Sequence, residues 1–231
     1  MLVGTKNLNQ NYKTKMADII YKESYVSLDD VKAIKTFFDK KITDKLSGGP
    51  YQSKQLQSGM EGCWDRSLHF EIVENPIHNL VKKLKEDFGD FVIHESSIRH
   101  MAYPFVPHSD IRSSKWLQEQ RQNYTAGYTF LIPLWWKQDY NPGTAFFSSP
   151  PKEHQELYIE QQDVLPVFSK EHSKQARNFG VEQILKWKSK GDLVAWKNFQ
   201  WHCSLSQKDY LYNDKNWCKE FISIETAIPK I

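Results

Sequence analysis

Apolar residues recur with two different periods along the chain, and the change falls near residue 90. In the first stretch, Val31, Ile34, Phe38, Ile42 and Leu46 repeat every three or four residues, the spacing of one face of an α-helix. Ser27 is placed to cap that helix, and Asp29 and Asp30 set negative charge in its first turn, where the helix dipole favours it. Gly48, Gly49 and Pro50 end it. A second stripe, Ile77, Leu80, Val81, Leu84 and Phe88, follows Asn75 as cap and Pro76 at the first helical position, and closes at Gly89. Each predicted helix is apolar on one side only, so each needs a larger body to lie against.

Beyond residue 90 the pattern is that of strands. Phe91–Phe105, Tyr124–Trp135, Thr144–Ser148, Asp192–Trp196 and Cys218–Ile228 are rich in β-branched and aromatic residues and bounded by Gly, Pro, Asn or Asp. A run of strands after a pair of helices predicts a mainly β fold with supporting helices, of the α+β class. Residues 91–228 form the expected β core and residues 1–90 the helical support. Polar segments 112–122 and 151–188 interrupt the core, and insertions of that length commonly act as functional covers. No internal repeat or linker divides the chain, so its 231 residues predict a single domain, 1–231.

Composition changes this picture little. Hydrophobic residues make up 39% and charged residues 26%, enough for a packed core and too apolar for wholesale disorder. A net charge of +3 is too small to indicate nucleic acid, and the dense basic stretch Lys32 to Lys45 is interleaved with Asp, as on a solvated helix face. The three cysteines, Cys63, Cys203 and Cys218, have neither the number nor the spacing of a disulfide framework or a zinc knuckle. The first residues lack the apolar run of a signal peptide, and the longest apolar run, Phe130–Trp136, is too short to span a bilayer and contains Pro133. A soluble, cytoplasmic protein with no membrane partner is expected.

The candidate chemistry is a metal centre. His108-Ser-Asp110 places an imidazole and a carboxylate two residues apart at the end of a strand-like run, where alternate side chains share a face and both can reach one ion. Such a pair alone is a weak signal. Downstream, Gly191-Asp-Leu-Val-Ala-Trp196 reads as a turn into a buried strand, after which Asn198-Phe-Gln-Trp-His202 supplies a second His in an aromatic setting. Two His and one carboxylate suit iron(II) and leave coordination positions open.

These residues resemble the iron(II)/2-oxoglutarate-dependent dioxygenases. The family pattern is a His-x-Asp, a distant His on a later strand, and a basic residue on the strand after it. Here the counterparts are His108-Ser-Asp110, His202, and Lys219 at the start of Lys219-Glu-Phe-Ile-Ser-Ile-Glu-Thr. Tyr128-Thr-Phe-Leu-Ile-Pro-Leu and Gly143-Thr-Ala-Phe-Phe are similar to the two family strands between the metal motifs. The resemblance, over residues 91–228, implies a double-stranded β-helix, a jelly-roll or cupin-like core. It also implies iron(II) on His108, Asp110 and His202, with 2-oxoglutarate and O2 as cosubstrates. The implied reaction is hydroxylation of a small-molecule or side-chain substrate with release of succinate and carbon dioxide. Halogenation is disfavoured, since it usually requires a small residue in place of the acidic ligand.

The far carboxylate of 2-oxoglutarate needs a cation, and Lys219, 17 residues beyond His202, is the expected anchor, helped by the hydroxyl of Ser223 on the same strand face. Many family members carry Arg here, and this chain has none after Arg177, which leaves Lys208 as the competing anchor. Tyr103 and Thr129 are candidate hydroxyl donors to the cosubstrate, and Arg99 and Arg112 candidate cations near the cavity. Two other readings compete. A cupin-like metalloprotein independent of 2-oxoglutarate would recruit His94 or His100 as further ligands. A non-catalytic β-sandwich would use Trp135, Trp136 and Trp201 as a stacking platform.

Overall fold

A computed structural model describes residues 19–46, 53–55, 64–69, 77–101, 109–110, 115–137, 142–147, 181–204 and 219–230. Helices α1 (Leu28–Leu46) and α2 (Ile77–Phe88) form where the helical stripes predict them. Ser27 caps α1: its Oγ accepts the backbone N–H of Asp30 at 3.1 Å and donates to the Asp30 carboxylate at 2.7 Å. Gly89 closes α2 with a φ of 83°, donating its N–H to the carbonyl of Lys85 at 2.9 Å. Asn75, Pro76 and Gly48 to Pro50 lie outside the described residues.

The strands are β1 (Ile20–Lys22), β2 (Ser53–Gln55), β3 (Trp64–His69), β4 (Val92–Met101), β5 (Tyr124–Trp136), β6 (Gly143–Phe147), β7 (Val181–Lys186), β8 (Leu193–Lys197), β9 (Trp201–Ser204) and β10 (Lys219–Pro229). A short helix, α3 (Lys115–Glu119), precedes β5. Five strands coincide with the predicted runs to within a residue or two, β4 as far as residue 101. β1, β2, β3 and β7 lie outside the predicted runs, and β9 carries His202, which only the family resemblance set on a strand. β1, β2 and β3 fall in the stretch read for its helices and β7 in the polar insertion. All are three to six residues long, too short for period-2 alternation to declare itself.

All pairings are antiparallel. A seven-stranded sheet has the order β1-β8-β5-β10-β4-β3-β2, and a three-stranded sheet the order β7-β6-β9. Alternation along the central strands sorts their side chains to two faces. Phe130, Ile132 and Leu134 of β5, Ile222 and Ile224 of β10, Ile98 of β4, and Leu193 and Ala195 of β8 form one cluster with Val31, Ile34 and Phe38 of α1 and Leu80, Val81 and Leu84 of α2. That is the outer face, covered by the helices. Each fully buried large apolar side chain here is worth about 1.5–3 kcal/mol. Lys35 of α1 also meets the buried Glu220 of β10 in an ion pair of 2.9 Å. On the opposite face, Leu131, Val194, Trp196 and Phe221 pack against Phe146 of β6 and Trp187, so the two sheets meet there.

Gly191 sets the turn into β8. Its φ is 80°, its N–H bonds the carbonyl of Pro133, and a Cβ on it would lie 2.3 Å from the carbonyl oxygen of Val26. The neighbouring Asp192 accepts from the Tyr21 hydroxyl and from the N–H groups of Ser24 and Ser189, tying β1 to this turn. Gly191→Ala therefore combines left-handed strain with a backbone clash. A loss of roughly 3 kcal/mol is expected, a fall of roughly 6–12 °C in the thermal midpoint. A midpoint within 2 °C of the parent, by calorimetry, would contradict it.

Candidate metal centre

One row of cross-strand neighbours runs across the inner face of the larger sheet. The register pairs Trp196 of β8 with Thr129 of β5, Thr129 with Glu225 of β10, and Glu225 with Glu95 of β4. Directly opposed residues share a face, so these four side chains stand side by side on the inner surface. Two groups of the sequence motif stand over this row.

Asp110 is buried, and its Oδ2 accepts a hydrogen bond of 2.5 Å from Thr129 Oγ1. His202 of β9 is also buried, and its ring lies 4.6 Å from that of Trp196. Nδ1 of His202 is 2.9 Å from the carbonyl oxygen of Gln200. A carbonyl only accepts, so Nδ1 carries the proton and Nε2 presents its lone pair. Gln200 is itself held by donation from its Nε2 to the carbonyl of Phe147 at 2.5 Å. Asp110 Oδ1 and His202 Nε2 are left facing one another 3.7 Å apart. Residues separated by 92 positions thus bring a carboxylate oxygen and an imidazole nitrogen together, each braced from behind by another group. That is the arrangement by which outer partners orient metal ligands. His108 lies outside the described residues, and among those described no third His, Cys, Asp or Glu completes a ligand group.

Lys219, the expected anchor, is 1% exposed, with Nζ 5.3 Å from the Trp187 ring centre and 5.5 Å from that of Phe221. It begins the inner-facing series Lys219, Phe221, Ser223, Glu225 along β10, and Ser223 is buried as well. Lys219 and Glu225 therefore mark opposite ends of one wall, roughly 20 Å apart at about 3.3 Å per residue. Burial pushes the Cys203 thiol above the usual range, with the charge of Lys219 pulling the other way, so this cysteine stays protonated. Thr129 gives its one hydroxyl proton to Asp110 and so braces that carboxylate. Arg99, opposite Phe221, donates to Ser97 Oγ at 3.1 Å and to Glu95 at 3.2 Å. Tyr103, Lys208 and Arg112 lie outside the described residues.

One group, Glu225, escaped sequence analysis, and His94, a candidate ligand of the cupin-like reading, stands near it. Glu225 continues the alternation that pointed to Lys219 and Ser223, and is 5% exposed. Burial and the nearby charges of Asp110 and Glu95 push its carboxyl up to about 9. His94 is the extra residue of a β-bulge opposite β10, and stacks on Trp116 of α3 with ring centres 5.4 Å apart. Trp116 packs in turn on Tyr124, 5.1 Å away.

No family model and no curated sequence matches the chain. Solved structures do. AviO1 from Streptomyces viridochromogenes Tue57 is 15% identical, covers 94% of this chain and 92% of its own, and superposes with a TM-score of 0.54. EctD from S. alaskensis, solved with 2-oxoglutarate and 5-hydroxyectoine, is 14% identical over 91% of this chain and 72% of its own, with a TM-score of 0.56. SnoK, a non-haem, alpha-ketoglutarate-dependent carbocyclase from nogalamycin biosynthesis, is 10% identical over 97% and 87%, with a TM-score of 0.54. At such identities the likeness is one of fold, and the chain shares its fold with these three proteins.

Proposed function

We propose that this chain is an iron(II)- and 2-oxoglutarate-dependent oxygenase with a double-stranded β-helix core, hydroxylating a substrate and releasing succinate and carbon dioxide. The observation that carries the reading is the 3.7 Å approach of Asp110 Oδ1 and His202 Nε2, with the other polar atom of each side chain already engaged. Both atoms are ligands by type, and a carboxylate oxygen and an imidazole nitrogen that face one another can share one ion. His108, two residues before Asp110, is the third ligand in this reading. Iron(II) with bound 2-oxoglutarate would supply the oxidising power, coupling decarboxylation to attack on a C–H bond.

The remaining residues bind and orient. Lys219, buried at the far end of β10, would take the distal carboxylate of 2-oxoglutarate, with the Ser223 hydroxyl between it and the metal ligands. Thr129 and the Gln200 carbonyl hold Asp110 and His202 in their ligating rotamers. Trp196, Phe146 and Trp187 exclude water around them. A cupin-like centre is less well supported, because His94 is engaged with Trp116 and joins no ligand group among the described residues. A stacking platform is also less well supported, because Trp201 packs against Ala145, Phe147 and Cys203 while Trp135 and Trp136 belong to the other sheet. Among the described residues no helix is long and apolar enough to cross a membrane.

The test is anaerobic titration with iron(II) in the presence of 2-oxoglutarate, watching for the visible metal-to-ligand charge-transfer band. A one-to-one band is expected, and succinate on admission of oxygen. Neither signal at saturating iron would end the proposal. Thr129→Val keeps a strand-favouring side chain but removes the bond to Asp110. Iron affinity should fall about 10–100-fold in the same titration, and unchanged affinity would remove Thr129 from the centre.

A further inference from the structure

Among the described residues each charged side chain on the inner wall has an ion-pair or ligand counterpart except Glu225, which feels only the electrostatic pull of Arg99. Asp110 faces His202, Arg99 meets Glu95 at 3.2 Å, and Lys219 lies where the proposed function puts a cosubstrate carboxylate. Glu225 remains. It is 95% buried by its 5% exposure, and its Oε2 has no hydrogen-bond partner among the described residues. A buried carboxylate oxygen without a donor is costly, so its place in the row calls for a partner that arrives from outside.

Its position says what that partner does. Glu225 stands next to Thr129, the residue that braces Asp110, so its carboxylate lies within a side chain's length of the candidate metal centre. Glu95, one strand further and 34% exposed, extends the negative wall toward solvent, and the stacked His94 and Trp116 stand beside it. The wall is therefore cationic at its buried Lys219 end and anionic where Asp110 sits. The partner for Glu225 enters from the anionic end.

We propose that Glu225, with Glu95 beside it, recognises a cationic group of the substrate, an ammonium or guanidinium placed roughly 5–10 Å from the carbon that is oxidised. The inference rests on the proposed function for the meaning of "substrate" and goes beyond it in naming the substrate's charge. Burial and neighbouring carboxylates disfavour a charge on Glu225 alone, and an incoming cation offsets both. The aromatic rings of Trp116 and Trp196 suit a cation's apolar flank.

The experiment uses the full chain loaded anaerobically with iron(II) and 2-oxoglutarate. Binding is measured by calorimetry for three matched pairs: L-arginine and L-citrulline, 1,5-diaminopentane and 1,5-pentanediol, N-acetyl-L-lysine amide and N-acetyl-L-norleucine amide. At least one cation should bind about tenfold or more tightly than its neutral partner, and Glu225→Gln should erase that preference. Neutral partners binding as tightly in all three pairs would overturn the proposal, as would discrimination surviving in Glu225→Gln. If that variant does not fold, the pairs on the parent chain decide alone. Absence of the charge-transfer band strikes the oxygenase reading instead, while the calorimetric preference still judges Glu225.

Discussion

Asp110→Ala is expected to lose iron(II) binding and, with it, turnover of 2-oxoglutarate, by about 1,000-fold or more. The groups that merely orient a ligand are each worth about 10–100-fold in metal affinity, and the ligand itself is worth more. His202 would then face a void, and one carboxylate and one imidazole do not define a centre with a fixed geometry. The fold should survive, because the change removes a buried charge near Glu225, which that charge disfavours. The measurement is succinate release without added substrate, alongside a thermal melt. Undiminished succinate in a folded variant would refute the assignment of Asp110, and the same holds for His108→Ala.

The second large effect is expected at Lys219. Lys219→Met keeps length and apolar contact with Trp187 and Phe221 while deleting the charge. Removing one partner of a buried charge pair costs about 2–5 kcal/mol of binding, so the KM for 2-oxoglutarate should rise roughly 30-fold to over 1,000-fold. Iron binding without cosubstrate should be unchanged. Stability should hold, because methionine keeps the apolar contacts of a side chain that is 1% exposed. That pairing of weaker cosubstrate binding with undiminished stability separates an anchor from a structural lysine. An unaltered KM would move the anchor to Lys208 or Arg99.

Asp110 and Lys219 came from the motif and the family resemblance, while period supplied the elements that carry the core and the sidedness of β10. Helices α1 and α2 were legible because their stripes run through several turns and end at strong signals, such as Ser27 and Gly89. The long strands β4, β5 and β10 were legible from their composition, and the sidedness of β10 already set Lys219 and Ser223 on one face. Burial of Lys219 and Ser223 is in keeping with that.

The short strands were not legible, because three to six residues carry too little alternation to outweigh their polar neighbours. The bond from Thr129 to Asp110 was not legible either, since no local pattern records which carboxylate a hydroxyl will meet. Only the pairing of β5 with β10 and β8, and of β10 with β4, lined up Trp196, Thr129, Glu225 and Glu95, four residues from four strands. The sequence by itself determined which residue types could ligate a metal and which faces of long elements would be apolar, because those follow from chemistry and local period. The tertiary structure decided which of them meet, since cross-strand register is a global consequence of closing loops and burying the outer face under α1 and α2.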